Sequence, residues 1–327
     1  MADFVNDESW SSAMENQRDR SDRGRLREMQ DGPWHEGELA LQAKAGAVEK
    51  MAAIGDRYIR PHLTEQHRSF FPELPFLVIG TVDDDGYPWA TIRDGSKGFL
   101  CSPDEWSLVA NIGIDTSDPA EAGLHAEAAI GWLGIQLETR RRNRVNGVLR
   151  SRTDRDFELS VEHTFGNCPR YIQQREEVIS DEHEEPGEPL AISIAEIRRI
   201  VEIADTFFVA SYVDDDIKNR HVDVSHRGGQ SGFVRFGVEG ELTIPDYNGN
   251  HYFNTLGNIL TNPSAGLVFP DFSSGALLQM TGRAAVLLDS EEMTQFPGAE
   301  RLWRFSPAKT IYRRAALRTR FRNRTER

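Results

Sequence analysis

The rhythm of apolar and polar residues changes several times along the 327 residues, and the changes divide the chain. Residues 1–33 show almost no apolar period and carry mixed charge, which predicts a disordered or loosely docked arm. From Glu36 to about Ile59 the apolar positions Leu39, Leu41, Val48, Met51, Ala52 and Ile54 fall near a three- to four-residue spacing, the mark of a helix with one buried face. Short runs follow, PFLVIGTV (75–82), PWATI (88–92) and WSLVANI (106–112), punctuated by Asp, Gly and Pro. These predict antiparallel strands joined by hairpins. VDDDG (82–86) alternates acids before a glycine, but the further oxygen ligands and closing Glu of a calcium loop are missing, so it reads as a hairpin turn. DPAEAGLHAEAA (118–129), with Asp118 as N-cap and Pro119 at the first helical position, predicts a short helix.

The pattern breaks at EEVISDEHEEPGEP (176–189), which holds seven acids, two prolines and no Lys or Arg; a linker is placed at 176–191. A helical stretch, ISIAEIRRIVEIA (192–204), then opens a second strand series, and another helix is expected within NHYFNTLGNILTN (250–262). The two series resemble each other. FLVIGTVDDD (76–85) matches FFVASYVDDD (207–216) at an offset of 131, and IGWLGIQLETRRRNRVNG (130–147) matches AGLVFPDFSSGALLQMTG (265–282) at 135, with glycines aligned at both ends. Two ungapped blocks at nearly one offset point to an internal duplication. The expected fold is therefore mainly β, two small barrel units at 34–175 (with its leading helix) and 192–305, packed on each other as a pseudo-dimer. Residues 306–327 are expected to form a solvated basic tail.

Composition narrows the function. Hydrophobic residues make up 39% of the chain, enough for a core, and the net charge of −14 argues against nucleic-acid or membrane-surface binding. MADFVNDESW lacks the apolar stretch of a signal peptide and no run of eighteen apolar residues occurs, so a cytoplasmic protein is expected. Two isolated cysteines, Cys101 and Cys168, offer neither a disulfide framework nor a metal cluster, and no metal is expected.

The candidate chemistry begins at VSHRGGQSG (224–232), which lacks the Lys-Ser/Thr ending of a nucleotide-triphosphate loop. Ser225 and His226 are neighbours on an extended segment and point to opposite faces, which disfavours a nucleophile–base pair. Ser225 and Arg227 share a face, and Gly228–Gly229 let backbone amides turn toward an oxyanion, so the loop reads as an anion site. A second segment, IPDYNGNHYFNTLGNILTNP (244–263), carries Asn254, Thr255 and Asn258 where a surface helix would favour charged residues; amides and hydroxyls at a helix start suit an anion. HTFGNCPRYIQ (163–173) is a turn around Cys168, and TRRRNRVNG (139–147) places Arg140, Arg142 and Arg144 on one strand face with Arg141 on the other. Clustered cations of this kind need acids or a bound anion.

At these residues the chain resembles a family. The paired β units, VDVSHRGGQSGFV, NTLGNILTNPSAGLVFPDF and FGNCPRYIQ are similar to the flavin-nucleotide-binding proteins related to pyridoxamine 5′-phosphate oxidase, in their tandem-domain branch, over about residues 34–305. The resemblance implies an FMN-binding split barrel and an FMN-dependent oxidoreductase, with one flavin held between the two units. It implies that Ser225, His226, Arg227, Asn254, Thr255 and Asn258 serve the phosphate, that Pro245, Asp246, Asn167, Cys168, Pro169 and Tyr171 surround the ring, and that Arg142 lies near the flavin pyrimidine. Asn254 and Thr255 stand where the simpler oxidases have Arg and Lys, and TIRDGSKGF (91–99) in the first unit keeps Arg93 and Lys97 but lacks the Ser-His-Arg run. The Arg-Leu-His-Asp-Arg ending of the true oxidase is absent, with ERLWRF (300–305) in its place, so vitamin B6 is not the expected substrate. The expected partners are a small-molecule substrate and an electron donor or acceptor, with a homodimer as one possible assembly. The alternative is a non-catalytic protein that stores or senses FMN, or haem.

Overall fold

The computed structural model describes residues 33–178, 188–215 and 219–324. The expected arm falls almost wholly outside them, as do 179–187 of the expected linker. Three helices lead the first unit: α1 (Glu36–Lys44), α2 (Val48–Tyr58) and α3 (Glu65–Phe70). The single helix predicted from Glu36 to Ile59 is broken between α1 and α2 at Gly46, whose φ of 64° is left-handed. Strands β1 (Phe76–Val82), β2 (Pro88–Asp94), β3 (Leu100–Cys101), β4 (Ser107–Ala110), β5 (Ala129–Gln136), β6 (Arg141–Arg152) and β7 (Phe157–Gly166) form one sheet in the order β2-β1-β5-β6-β7-β4-β3. After β8 (Arg175–Val178) and α4 (Ile194–Ile203), strands β9 (Thr206–Asp214), β10 (Arg220–Gly228), β11 (Arg235–Phe236), β12 (Leu242–Tyr247), β13 (Ser264–Asp271), β14 (Ala276–Leu287) and β15 (Ala299–Arg313) form the second. Its order is β10-β9-β13-β14-β15-β12-β11, the first sheet's order with every strand advanced by eight. The duplication is thus structural: two seven-stranded units of one topology in a mainly β fold, packed on each other.

The strand registers refine the repeat. Gly131 pairs with Gly80, and its counterpart Gly266 pairs with Ala210, which makes Gly80 equivalent to Ala210 at an offset of 130. The offset of 131 expected from letter identity is one residue out. In a strand a one-residue slip exchanges the two faces, so the difference decides which side chains go where. Leu77 and Ile79 enter the core of the first unit with Trp132 and Phe157, and their equivalents Phe207 and Val209 enter that of the second with Trp303. The alternate residues Phe76, Val78, Phe208 and Ala210 meet in a third core between the units. With both faces covered, these strands are apolar throughout rather than alternating.

Two expectations fail locally. DPAEAGLHAEAA forms only a five-residue 3-10 turn, Pro119–Gly123, although Asp118 caps it as predicted by accepting from the Ala120 amide at 3.0 Å. The basic C-terminus is not a solvated tail up to its last few residues: β15 runs on to Arg313 and β16 (Arg320–Asn323) pairs with β8. Glu176 of β8 faces Arg322 and Arg324 there, so an acid of the expected linker pairs with two arginines of the expected tail. Among the described residues no helix is long and apolar enough to cross a membrane.

Candidate functional site

Helix α5 (Asn254–Thr261) opens beside β10. It begins without a side-chain cap, whereas α1, α3 and α4 are each closed by a capping box. The preceding residue, Phe253, is left-handed at φ 61°, and the first intrahelical bond runs from the Gly257 amide to the Phe253 carbonyl at 2.6 Å. The amides of Asn254, Thr255 and Leu256 therefore lack helical acceptors. Three of the six non-glycine residues with positive φ among the described residues, Tyr171, His251 and Phe253, lie around this opening. Such strained backbone gathers at ligand sites.

The opening is a cleft of about 870 Å³, counted out to its mouth. Both units build its wall. The first contributes Arg142 and Arg144 of β6 and the segment after β7, and the second contributes β10, the end of β12, the start of α5 and Arg301 of β15. Of the residues expected in a site, Ser225, His226, Arg227, Pro245, Asp246, Asn254, Thr255, Asn167, Cys168, Tyr171 and Arg142 all line the cleft. Asn258 does not. It is buried one turn along α5, where its amide donates to Ser211 Oγ at 3.0 Å and its carbonyl oxygen lies 2.9 Å from His35 Nε2, so it ties α1 to the second unit. Pro169 is also outside the wall, which its neighbours Cys168 and Arg170 line.

Five arginines face the cleft, and most are matched by acids or amides. Arg144 donates to Asp223 Oδ1 (3.1 Å), Asn254 Oδ1 (3.0 Å) and Ser225 Oγ (2.6 Å). Asp246 receives Arg227 at 2.5 Å and Arg301 at 2.9 Å. Arg142 is different: among the described residues it has no carboxylate partner, and its Nη1 lies 3.2 Å from His226 Nδ1. Burial, and then neighbouring Arg144, push its guanidinium down to about 10, which leaves it charged at neutral pH. Because an arginine can only donate, His226 Nδ1 accepts and the imidazole proton sits on Nε2. That Nε2 is buried without a partner, as are Arg142 Nε, Arg227 Nε and Asn167 Oδ1. Tyr171 and Tyr247 form a stacked pair at 5.3 Å and 27° on the rim, Tyr171 being anchored by its hydroxyl on the Asn248 carbonyl at 3.1 Å.

Sequence reasoning missed Tyr247, Phe253, His251 and Arg301. Phe253 and His251 follow from backbone strain, which no residue type announces. Arg301 enters because β12 and β15 pair Asp246 with it across the ladder. The expected face of three arginines is really two, since Arg140 sits left-handed in the turn before β6.

His226 is held neutral: burial first, then Arg142, Arg175 and Arg227, keep its pKa well below the usual 6.5. A depressed histidine stabilises the fold above its unfolded pKa, and this contribution is lost as pH falls. From about pH 6.5 downward it therefore costs the fold roughly 1.4 kcal/mol per pH unit. His226→Ile, which copies Ile92 at the equivalent position of β2, is expected to remove one proton's worth of that slope. Denaturant titrations between about pH 5 and 7 measure it; an unchanged slope in the variant would mean that His226 titrates normally.

No protein-family model and no curated protein matches the chain. Solved structures match about two fifths of it each. A FAD-binding protein of Mesorhizobium loti is 12% identical with a TM-score of 0.29, over 38% of this chain and 97% of its own. A protein of Clostridium acetobutylicum related to general stress protein 26, of the pyridoxinephosphate oxidase family, is 14% identical with a TM-score of 0.25, over 41% of this chain and 95% of its own. HutZ, the haem storage protein of Vibrio cholerae, is 16% identical with a TM-score of 0.26, over 37% and 93%.

Proposed function

We propose that the cleft between the units binds FMN, and that the chain is an FMN-dependent oxidoreductase acting on a small molecule. The observation that carries this reading is the uncompensated Arg142 guanidinium on Nδ1 of neutral His226, whose Nε2–H is partnerless, in a cleft that also takes in the start of an uncapped helix. A cation left without a carboxylate in a partly dry wall calls for an anion from outside. Free amides at a helix start and the hydroxyls of Ser225 and Thr255 suit a phosphate.

The residues fit FMN in kind as well as in charge. Arg142, Ser225, Thr255 and the α5 amides would hold the phosphate. Tyr171 and Tyr247 offer aromatic faces to the ring, and Asn167 Oδ1 is a free acceptor for a ring N–H. Bound flavin supplies hydride or electron transfer. The chain's own part is to orient the ring, to keep the wall positively charged, and to fix the neutral His226 tautomer, with Nδ1 accepting from Arg142 and Nε2–H left as a donor. A cationic wall favours any state of the ligand that gains negative charge.

The test is an absorption spectrum of the purified chain, followed by titration with FMN, riboflavin and haem and an assay of turnover with an electron donor. Flavin absorbance near one equivalent per chain, preference for FMN over riboflavin, and bleaching on reduction with catalytic reoxidation are expected. Binding without turnover leaves a carrier or sensor; a Soret band with no affinity for FMN would overturn the flavin reading.

A further inference from the structure

The duplication gives the cleft a counterpart on the other side of the molecule, and the registers say what stands there. Thr91 and Arg93 of β2 are equivalent to Ser225 and Arg227 of β10, Gln279 of β14 to Arg144 of β6, and Arg313 to Asn167. The 3-10 turn Pro119–Gly123 follows β4 as α5 follows β12. The residue before each helical start differs in kind: Phe253 in the cleft, Asp118 in the counterpart.

The Asp118 side chain is fully buried, and four of these counterpart residues converge on its carboxylate. Thr91 donates at 2.6 Å and Gln279 at 3.1 Å, while Arg93 Nε lies at 3.0 Å and Arg313 Nη1 at 3.3 Å. The Ala120 amide completes the set from the start of the turn. A hydroxyl, two guanidiniums, an amide side chain and a helix-start amide thus surround one oxyanion. The cleft has the same kinds of donor at equivalent positions, with no carboxylate at Phe253; its guanidiniums Arg227 and Arg144 are held instead from the side by Asp246 and Asp223.

We infer that Asp118 is a built-in anion that occupies the second of two equivalent anion sites, so that each chain takes one external anion, and that removing this carboxylate opens a second site for a small carboxylate. Asp115 and Glu121 also pair with Arg93, and Arg313 with Asp115, but both acids reach the cradle from its outer edge; only Asp118 lies inside it. Burial alone would raise the Asp118 pKa, yet Arg93 and Arg313 outweigh it and hold the carboxyl below its usual range, so the built-in anion stays ionised. That the cleft takes the one external anion rests on the function proposed above, whereas the role of Asp118 in the counterpart does not depend on which ligand fills the cleft.

Asp118→Ala removes the carboxylate and leaves room for formate, which is the missing group itself. The variant is expected to melt several degrees below the parent chain in chloride and to recover saturably in formate at the same ionic strength. Asp118→Asn refills the position with a neutral amide and is expected to show no formate-specific recovery. Equal instability of Asp118→Ala in formate and chloride, or its failure to fold in either while Asp118→Asn folds, would overturn the inference. Neither outcome touches the flavin reading, because no step of the test uses FMN.

Discussion

Replacing Arg142 by methionine is expected to weaken FMN binding by roughly ten- to a hundredfold and to leave riboflavin binding almost unchanged. A charge-assisted hydrogen bond to a phosphate contributes on the order of 1.5–3 kcal/mol, and each 1.4 kcal/mol is about a factor of ten. Methionine keeps the length and apolar stem of arginine, so little packing is lost. The choice of Arg142 over its neighbours follows from the ion pairs. Asp246 already holds Arg227, and Asp223, Asn254 and Ser225 hold Arg144. A second readout separates binding from folding. Removing an uncompensated cation from a largely dry wall relieves a cost in the ligand-free chain, so the variant is expected to melt no lower than the parent. Flavin fluorescence titration and thermal denaturation give the two numbers. A variant that keeps the full preference for FMN over riboflavin would move the phosphate away from Arg142.

Most of the fold was legible because the duplication repeats the pattern. The strand runs, the hairpin at VDDDG, with Asp83 Oδ1 accepting the Tyr87 amide at 2.8 Å, and the glycines at offset 135 all hold in the structure. What failed did so for identifiable reasons. The match of VDDD at 131 weighed letter identity over the alternation of faces, and only hydrogen-bond register shows that Ala210, not Ser211, stands where Gly80 does. The helix predicted at 118–129 had a good cap but no apolar stripe to bury, and a cap alone does not propagate a helix. The basic C-terminus looked solvated because its acidic partners lie far away in sequence, at Glu176. Eleven of the thirteen residues expected in a site line one cleft, because the segments that carry them converge where the units meet. The pairing among them was not legible, because which arginine lacks an acid depends on the packing of one unit against the other.

Two glycines set how closely the units approach, and the second large effect is expected at one of them. Gly131 of β5 and Gly266 of β13 are equivalent, and each lies against the backbone of the other unit. A Cβ on Gly131 would meet the Val222 carbonyl oxygen at 2.8 Å and the Val224 amide nitrogen at 2.9 Å; on Gly266 it would collide with the Pro88 carbonyl. Backbone cannot turn aside as a side chain can, so the strands must part. Gly266→Ala is expected to cost about 1–3 kcal/mol of stability, the range for overpacking a filled interior. Gly113→Ala, whose nearest neighbour would be the Asp154 carbonyl oxygen at an ordinary 3.4 Å, is the control. The two interface glycines should also differ in what they do to the site. Gly266 presses on β2, on the side of the occupied counterpart, whereas Gly131 presses on β10 just before Ser225, His226 and Arg227. Denaturation of Gly266→Ala should therefore shift while FMN affinity per folded chain holds, and Gly131→Ala should lose both. If Gly266→Ala proves as stable as Gly113→Ala, the two units are not locked by close backbone contact, and the shared wall of the cleft needs another support. If Gly131→Ala lowers stability but keeps its affinity, β10 is positioned by its own sheet through β9, and the unit interface only closes the cleft without shaping it.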